Sequence, residues 1–148
     1  MTLIPVNDVC NAGCPYCGID RTGHTPTASV RKALIQASTA GTEVTFGGGE
    51  PTLDPRLPKL LSKAGELGLE TRQIETNALR FSDTNFMKVV ADAGLERARV
   101  MLPASNARAW EETTRLPGSL ELAWKGIANL IESDVIVDLV VPVSQGNV

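Results

Sequence analysis

Residues 43–52, Glu43-Val44-Thr45-Phe46-Gly47-Gly48-Gly49-Glu50-Pro51-Thr52, join a short β-prone run to three glycines, an acid and a proline. The run Glu43–Phe46 reads as a strand, and the glycines after it mark a turn where backbone can approach something closely. Pro51 fixes the exit of that turn. The stretch lacks the Gly-Lys-Ser/Thr ending of a phosphate loop, which argues against that kind of nucleotide site.

The same rhythm repeats on either side. Candidate strands are Leu3–Val9, Glu43–Phe46, Thr71–Glu75, Arg97–Leu102 and Val135–Val141, and candidate helices are Ser29–Thr39, Arg56–Leu67, Thr84–Ala93 and Leu120–Glu132. Strands alternating with amphipathic segments predict β/α units and a parallel sheet. Gly41, Gly68 and Gly94 each follow a helical pattern, where a glycine accommodates a left-handed turn. With no repeat, low-complexity tract or linker, the 148 residues are expected to form one domain, 1–148, with an ordinary core. Trp110 and Trp124 fall in or near helical stretches and are expected to pack.

Parallel β/α folds put their chemistry on the loops after the strand C-termini. Residues 10–17, Cys-Asn-Ala-Gly-Cys-Pro-Tyr-Cys, follow the first strand and hold all three cysteines of the chain. The glycine turn follows the second strand, Thr76-Asn77 the third and Pro103-Ala104-Ser105-Asn106 the fourth, so all four loops are expected on one rim. Three cysteines cannot pair fully, and their C-x3-C-x2-C spacing argues for metal ligation in a reducing cell. They could hold three corners of a metal cluster and leave the fourth without a protein ligand. The alternative is a structural zinc site, Cys3His, completed by His24. A formal charge of −3 with no basic cluster along the sequence gives no support to nucleic-acid binding. The first residues carry neither a basic region nor a long apolar segment, so neither a signal peptide nor a membrane span is expected and the cytoplasm is the default location.

The C-x3-C-x2-C motif with Tyr16 before its last cysteine, followed after the second strand by Gly-Gly-Glu-Pro, resembles the radical S-adenosylmethionine superfamily over nearly the whole chain. The resemblance implies an α/β fold, a partial (β/α) TIM-like barrel with parallel strands, here about five strands and four helices instead of the usual six β/α units. It implies a [4Fe-4S] cluster on Cys10, Cys14 and Cys17, with S-adenosylmethionine on the fourth iron. It further implies reductive cleavage of that cofactor to methionine and a 5′-deoxyadenosyl radical that abstracts hydrogen from substrate, fed by a reductant such as flavodoxin or ferredoxin. By the same resemblance Tyr16 lies beside the adenine. Carbonyls at Gly47, Gly48 and Gly49, with the Glu50 side chain and Pro51 shaping the turn, receive the cofactor's ammonium group. Glu75, Thr76, Asn77 and Ser105 reach its ribose or carboxylate. No further catalytic group is assigned. Many relatives carry a serine on strand four followed by Leu-Asp-Gly, and Met101-Leu102-Pro103-Ala104 departs from that pattern. Asn147 resembles an asparagine common after the fifth strand.

Since the three cysteines are committed to one cluster, the chain has none for an auxiliary cluster or a methyl carrier, which disfavours sulfur insertion and cysteine-dependent RNA methylation. Residues 116–130 are similar to the fourth helix of peptide-modifying and cofactor-maturing members, which implies a peptide or small-molecule substrate. Activation of a glycyl-radical enzyme and deazapurine ring contraction stay open. Two alternatives stand beside the enzyme: a non-catalytic iron–sulfur or zinc module, and a cofactor-binding subunit completed by a partner chain. The apolar run Val135–Val141 would invite association as a bare edge, so a partner chain, a second copy or further sequence is expected to cover it.

Overall fold

The protein is described by a computed structural model over residues 2–19 and 23–143. Asn147 lies outside the described residues. In chain order the elements are β1 (Thr2–Asn7), α1 (Thr27–Ala40), β2 (Glu43–Gly48), α2 (Leu57–Glu66), β3 (Thr71–Thr76), α3 (Thr84–Asp92), β4 (Arg97–Met101), α4 (Ala107–Thr114), α5 (Leu120–Glu132) and β5 (Ile136–Val140). Short 3-10 turns at Pro51–Leu53 and Leu79–Ser82 follow β2 and β3.

All four strand pairings are parallel, and the order is β1-β2-β3-β4-β5. A strand order that never reverses belongs to a barrel segment, since doubly wound sheets reverse at a switch point. The five-stranded α/β architecture expected from the sequence is therefore present.

The twofold alternation of each strand gives the sheet two unlike faces. Ile4, Val6, Val44, Phe46, Ile74, Ala98 and Val100 are buried in one core with Leu34, Leu57, Leu61, Met87 and Leu130 from the helices. The opposite face is polar. Gln73 Nε2 donates to Thr45 Oγ1 at 3.0 Å. Arg99 pairs with Glu75 and Arg97 with Asp138, each at 2.8 Å. These last four side chains stay between one third and one half exposed, so this face forms an open, charge-lined wall.

Two details differ from the sequence reading. Helix α4 was not anticipated: it has eight residues and one large apolar side chain, buried Trp110, whose Nε1 donates to Ser119 Oγ at 2.8 Å. Its start is fixed by Asn106, whose side chain accepts from the Ala109 amide at 3.0 Å. Gly68 and Gly94 are left-handed at φ 80° and 93°, but Gly41 is extended at φ 168°. At the far edge, β5 pairs only with β4 among the described residues, and Ile136, Leu139 and Val141 stay about half exposed.

Candidate functional site

The cysteine loop and the ends of β2, β3 and β4 enclose a chamber of about 220 Å³. Cys10, Cys14, Cys17 and Tyr16 line one side, with Gly48, Gly49 and Glu50 next to them. Glu75, Thr76, Asn77 and Met101 complete it. Gly47, Pro51 and Ser105 do not line it: Gly47 lies against Leu3 and Glu75, Pro51 is buried in the 3-10 turn, and Ser105 is exposed beyond β4.

The glycines are explained by the chain's own crossing. The Gly49 amide donates to Asn7 O at 2.8 Å, the Glu50 amide to Val9 O at 2.7 Å, and Asn7 Nδ2 to Glu50 O at 3.0 Å. A Cβ at Gly48 would run into the Asn7 carbonyl, and one at Gly49 into that of Val9. Gly48 is also left-handed, at φ 111°. The close approach read from the sequence is thus first an approach of β2's end to the start of the cysteine loop.

That loop is gripped at its neck and its middle. At the neck, Asp8 N donates to Gly23 O at 2.6 Å and Thr25 N to Val6 O at 3.0 Å. Arg56 spans the same neck. Its Nη1 donates to Thr25 O and Thr27 Oγ1 at 3.0 and 2.8 Å, and its Nη2 donates to Val6 O at 2.9 Å. The guanidinium is held by Asp54, with Nη2 to Oδ2 at 2.6 Å and Nε to Oδ1 at 2.9 Å. Burial pushes the Asp54 carboxyl up, but the Arg56 hydrogen bonds and charge, helped by His24, outweigh it and leave Asp54 below its ordinary range. In mid-loop, Asn77 Nδ2 donates to Asn11 Oδ1 at 2.7 Å, and the Gly13 amide donates to Thr114 O, near the end of α4, also at 2.7 Å.

Glu50 sits under the chamber, 1% exposed. Its Oε1 accepts from Thr52 N at 3.1 Å and from the Thr52 and Thr76 hydroxyls at 2.7 Å, while Oε2 accepts from the Asn77 amide at 2.8 Å. Burial pushes its pKa up, and these neutral donors only partly offset that. Thr76 and Asn77 therefore serve Glu50 and the cysteine loop directly. Asn77 is followed by Ala78, buried in a left-handed conformation at φ 62°. Gly126 of α5 leaves room for the Ala78 carbonyl, which a Cβ there would strike. Glu75 is held by Arg99 at the chamber wall. Tyr16 is about half exposed, and its phenol is pushed up by partial burial, a hydrogen bond with Cys14 and the charge of all three cysteines, so it stays protonated.

The donor set can be tested against both metal readings. Among the described residues, no three His, Cys, Asp or Glu side chains converge so as to hold one ion, as a Cys3His zinc site requires. His24 Nδ1 instead lies 3.6 Å from Asp54 Oδ2. A cubane takes one thiolate per iron, so its ligands surround it without meeting at a point. Three cysteines spread around one chamber fit that demand.

Sequence reasoning missed Asn7, Asn11, Asp54 and Arg56. The only local hint was an Asp-Pro-Arg triplet, residues 54–56, close behind the glycine turn.

The family model described as Radical SAM superfamily matches residues 4–144. Among curated proteins, the chain is 30% identical over 100 residues to a 7,8-dihydro-6-hydroxymethylpterin dimethyltransferase of Methanocaldococcus jannaschii, covering 62% of this chain and 20% of that protein. It is 35% identical over 89 residues to an S-adenosylmethionine-dependent nucleotide dehydratase of Lacinutrix mariniflava, covering 53% and 18%. The chain thus spans about a fifth of the length of these relatives. Among solved structures, SuiB of Streptococcus suis bound to S-adenosylmethionine superposes with a TM-score of 0.74 at 20% identity, over 93% of this chain and 31% of SuiB. At that identity the likeness speaks for the fold.

Proposed function

Because the chain belongs to the radical SAM superfamily, we propose that it is the cluster- and cofactor-binding core of an enzyme that cleaves S-adenosylmethionine reductively and abstracts hydrogen from a peptide or small-metabolite substrate. The observation that carries this reading is the meeting, in one chamber, of three cysteines with a buried glutamate that no cation among the described residues neutralises. When bound, a [4Fe-4S] cluster and S-adenosylmethionine supply a reducible sulfonium and a carbon radical strong enough to take hydrogen from carbon.

The chain's own residues do the placing. Cys10, Cys14 and Cys17 would hold the cluster, and the Asn7, Asn11, Gly13 and Arg56 contacts fix the backbone that carries them. Glu50 offers negative charge to the cofactor's ammonium, steadied by Thr52, Thr76 and Asn77. Glu75, oriented by Arg99, offers a carboxylate to its hydroxyls. Tyr16 presents an aromatic face beside the cysteines for the adenine.

The substrate would approach along the polar face of the sheet. Its ion pairs and buried amide suit a hydrogen-bonding molecule, and the two curated relatives are named for a pterin and a nucleotide, which favours a small polar metabolite over a peptide.

The test is anaerobic reconstitution followed by product analysis. Wild-type protein should take up four irons, change its paramagnetic signal on adding S-adenosylmethionine, and form 5′-deoxyadenosine under dithionite. Cys14→Ala should abolish that product. Full cleavage by Cys14→Ala, or a signal indifferent to the cofactor, would overturn the reading.

A further inference from the structure

On the helix side of the sheet, α1 and α2 leave between them a groove of about 460 Å³, with Leu34, Leu60 and Leu67 along its floor and Arg31, Lys59 and Lys63 on its rim. It is continuous with a hollow along α1 that shares Thr27, Arg31 and Ile35 with it and adds Lys32. Ile35, in the middle, is 47% exposed. Folding therefore builds a basic cluster that the sequence does not display, because its cations come from two helices about 28 positions apart.

Two features single this surface out. Arg31, Lys32 and Lys59 form no ion pair among the described residues and lie together around this one surface, while Lys63 on the rim holds Glu66 at 2.7 Å. Arg80, Arg115 and Lys125 also form no ion pair among the described residues, but none of them lines it. A cluster of uncompensated cations over apolar side chains, in a chain of formal charge −3, is complementary to an acidic protein surface. The second feature is position. Arg56 and Thr27 line one end of the groove, and the same Arg56 donates to Val6 O and Thr25 O across the neck of the cysteine loop. Through Asp54 that neck is continuous with the turn carrying Glu50 and the chamber. An occupant of the groove would lie on the helix side of the sheet, away from the polar face, and would meet the neck of the cysteine loop at Thr27 and Arg56.

We propose that the α1–α2 groove docks a small acidic one-electron carrier protein, which delivers reducing equivalents to the cysteine-held cluster through the neck of its loop. The inference rests on the function proposed above. In the step, one electron leaves the carrier, whose centre is oxidised by one equivalent, and the cluster is reduced by one; no atom or proton need transfer. A substrate is the poorer occupant, because it must reach the chamber from the open face.

The test uses the reconstituted protein and an acidic flavodoxin photoreduced to its hydroquinone. In wild type, flavodoxin-driven reduction should slow at least about tenfold as ionic strength rises from about 0.02 to 0.3 M, as expected for steered association. The exposed-surface variant Arg31→Glu/Lys32→Glu/Lys59→Glu should be reduced at least about tenfold more slowly than wild type at low salt, while dithionite reduces both equally. Equal flavodoxin rates in the two proteins, or a salt-insensitive wild-type rate, would overturn the docking site. Loss of dithionite-driven 5′-deoxyadenosine formation in the variant would also overturn it, by assigning the groove to the catalytic unit or to an acidic peptide substrate. Failure of dithionite to reduce any centre in wild type would instead strike the proposed function, and the docking site with it.

Discussion

Glu50 and Asp54 lie four residues apart on the same turn, and both are almost wholly removed from solvent, at 1% and 0% exposure. Burial pushes both carboxyls upward, yet Glu50 stays above its ordinary value while Asp54 falls below it. The difference is the kind of partner. Glu50 is met by two hydroxyls and two amides, whereas Asp54 is met by the Arg56 guanidinium at 2.6 Å. A charge neutralised from within serves the architecture, here the neck of the cysteine loop. A charge held only by dipoles remains available to a cation from outside, and it is this carboxylate that lines the chamber.

Removing the guanidinium is the strongest way to break the contrast. Arg56→Met leaves buried Asp54 with only the residue-56 amide at 2.9 Å and His24 at 3.6 Å, and should cost about 3 kcal/mol in denaturant unfolding, the lower end for a buried pair because Arg56 is a quarter exposed. The acid response should change too. With its folded pKa depressed, Asp54 contributes stability that is fully present above the ordinary carboxylate value near about 4 and is lost as pH falls through the folded value. That part of the acid limb should vanish in Arg56→Met. A cost below about 1 kcal/mol would mean that water relieves Asp54 and that the two carboxylates differ less than their partners suggest.

The second prediction sharpens the contrast from the other side. Glu50→Gln removes the charge offered to the cofactor's ammonium, and should weaken S-adenosylmethionine binding by about 2 kcal/mol, roughly thirtyfold. In the apoprotein the sign is opposite to that of Asp54. A raised folded pKa means that stability declines as pH climbs from the ordinary glutamate value through the folded one, and the glutamine variant should lose that decline. Calorimetric titration with the cofactor and thermal scans across pH measure the two effects separately. Unchanged affinity would remove Glu50 from the proposed ammonium site.

How much of this was legible depended on the range of the interactions. The strands could be read because alternation is local, and the convergence of four loops on one rim followed from their order along a parallel sheet. Glycines 47–49 announced a close approach, but not that Gly48 and Gly49 meet Asn7 and Val9. Helix α4 was obscured by a segment with a single large apolar residue and a cap made by one asparagine. The Asp54–Arg56 clamp was illegible because its targets, Val6, Thr25 and Thr27, lie 29 to 50 positions away. Thr76 and Asn77 were placed at the right rim without any local sign that they would turn toward Glu50 and Asn11.

Thr76→Val probes how far neutral donors can steady Glu50. It deletes the hydroxyl at 2.7 Å from Oε1 while keeping the side chain's shape, and should cost about 1.5 kcal/mol near neutral pH. The effect should shrink in acid, where a protonated Glu50 needs the donor less. If the loss is the same at all pH values, Thr76 acts through packing and through the Ala78 amide, which donates to its hydroxyl at 3.1 Å, and not through Glu50.

The smallest expected effect concerns the carboxylate on the polar face. Glu75 and Arg99 are joined at 2.8 Å, but both remain about a third exposed, so water screens the pair and Arg99→Gln should change unfolding free energy by less than about 1 kcal/mol. Its consequence for the chamber should be larger than its consequence for the fold. Without Arg99 the Glu75 side chain regains rotational freedom, and a hydrogen-bonding ligand would have to order it again on binding. Arg99→Gln should therefore weaken cofactor binding by more than it weakens folding, and Arg99→Lys should recover part of the affinity by restoring the charge. Equal losses in folding and binding would place Glu75 with Asp54, as a carboxylate engaged only in holding the structure together.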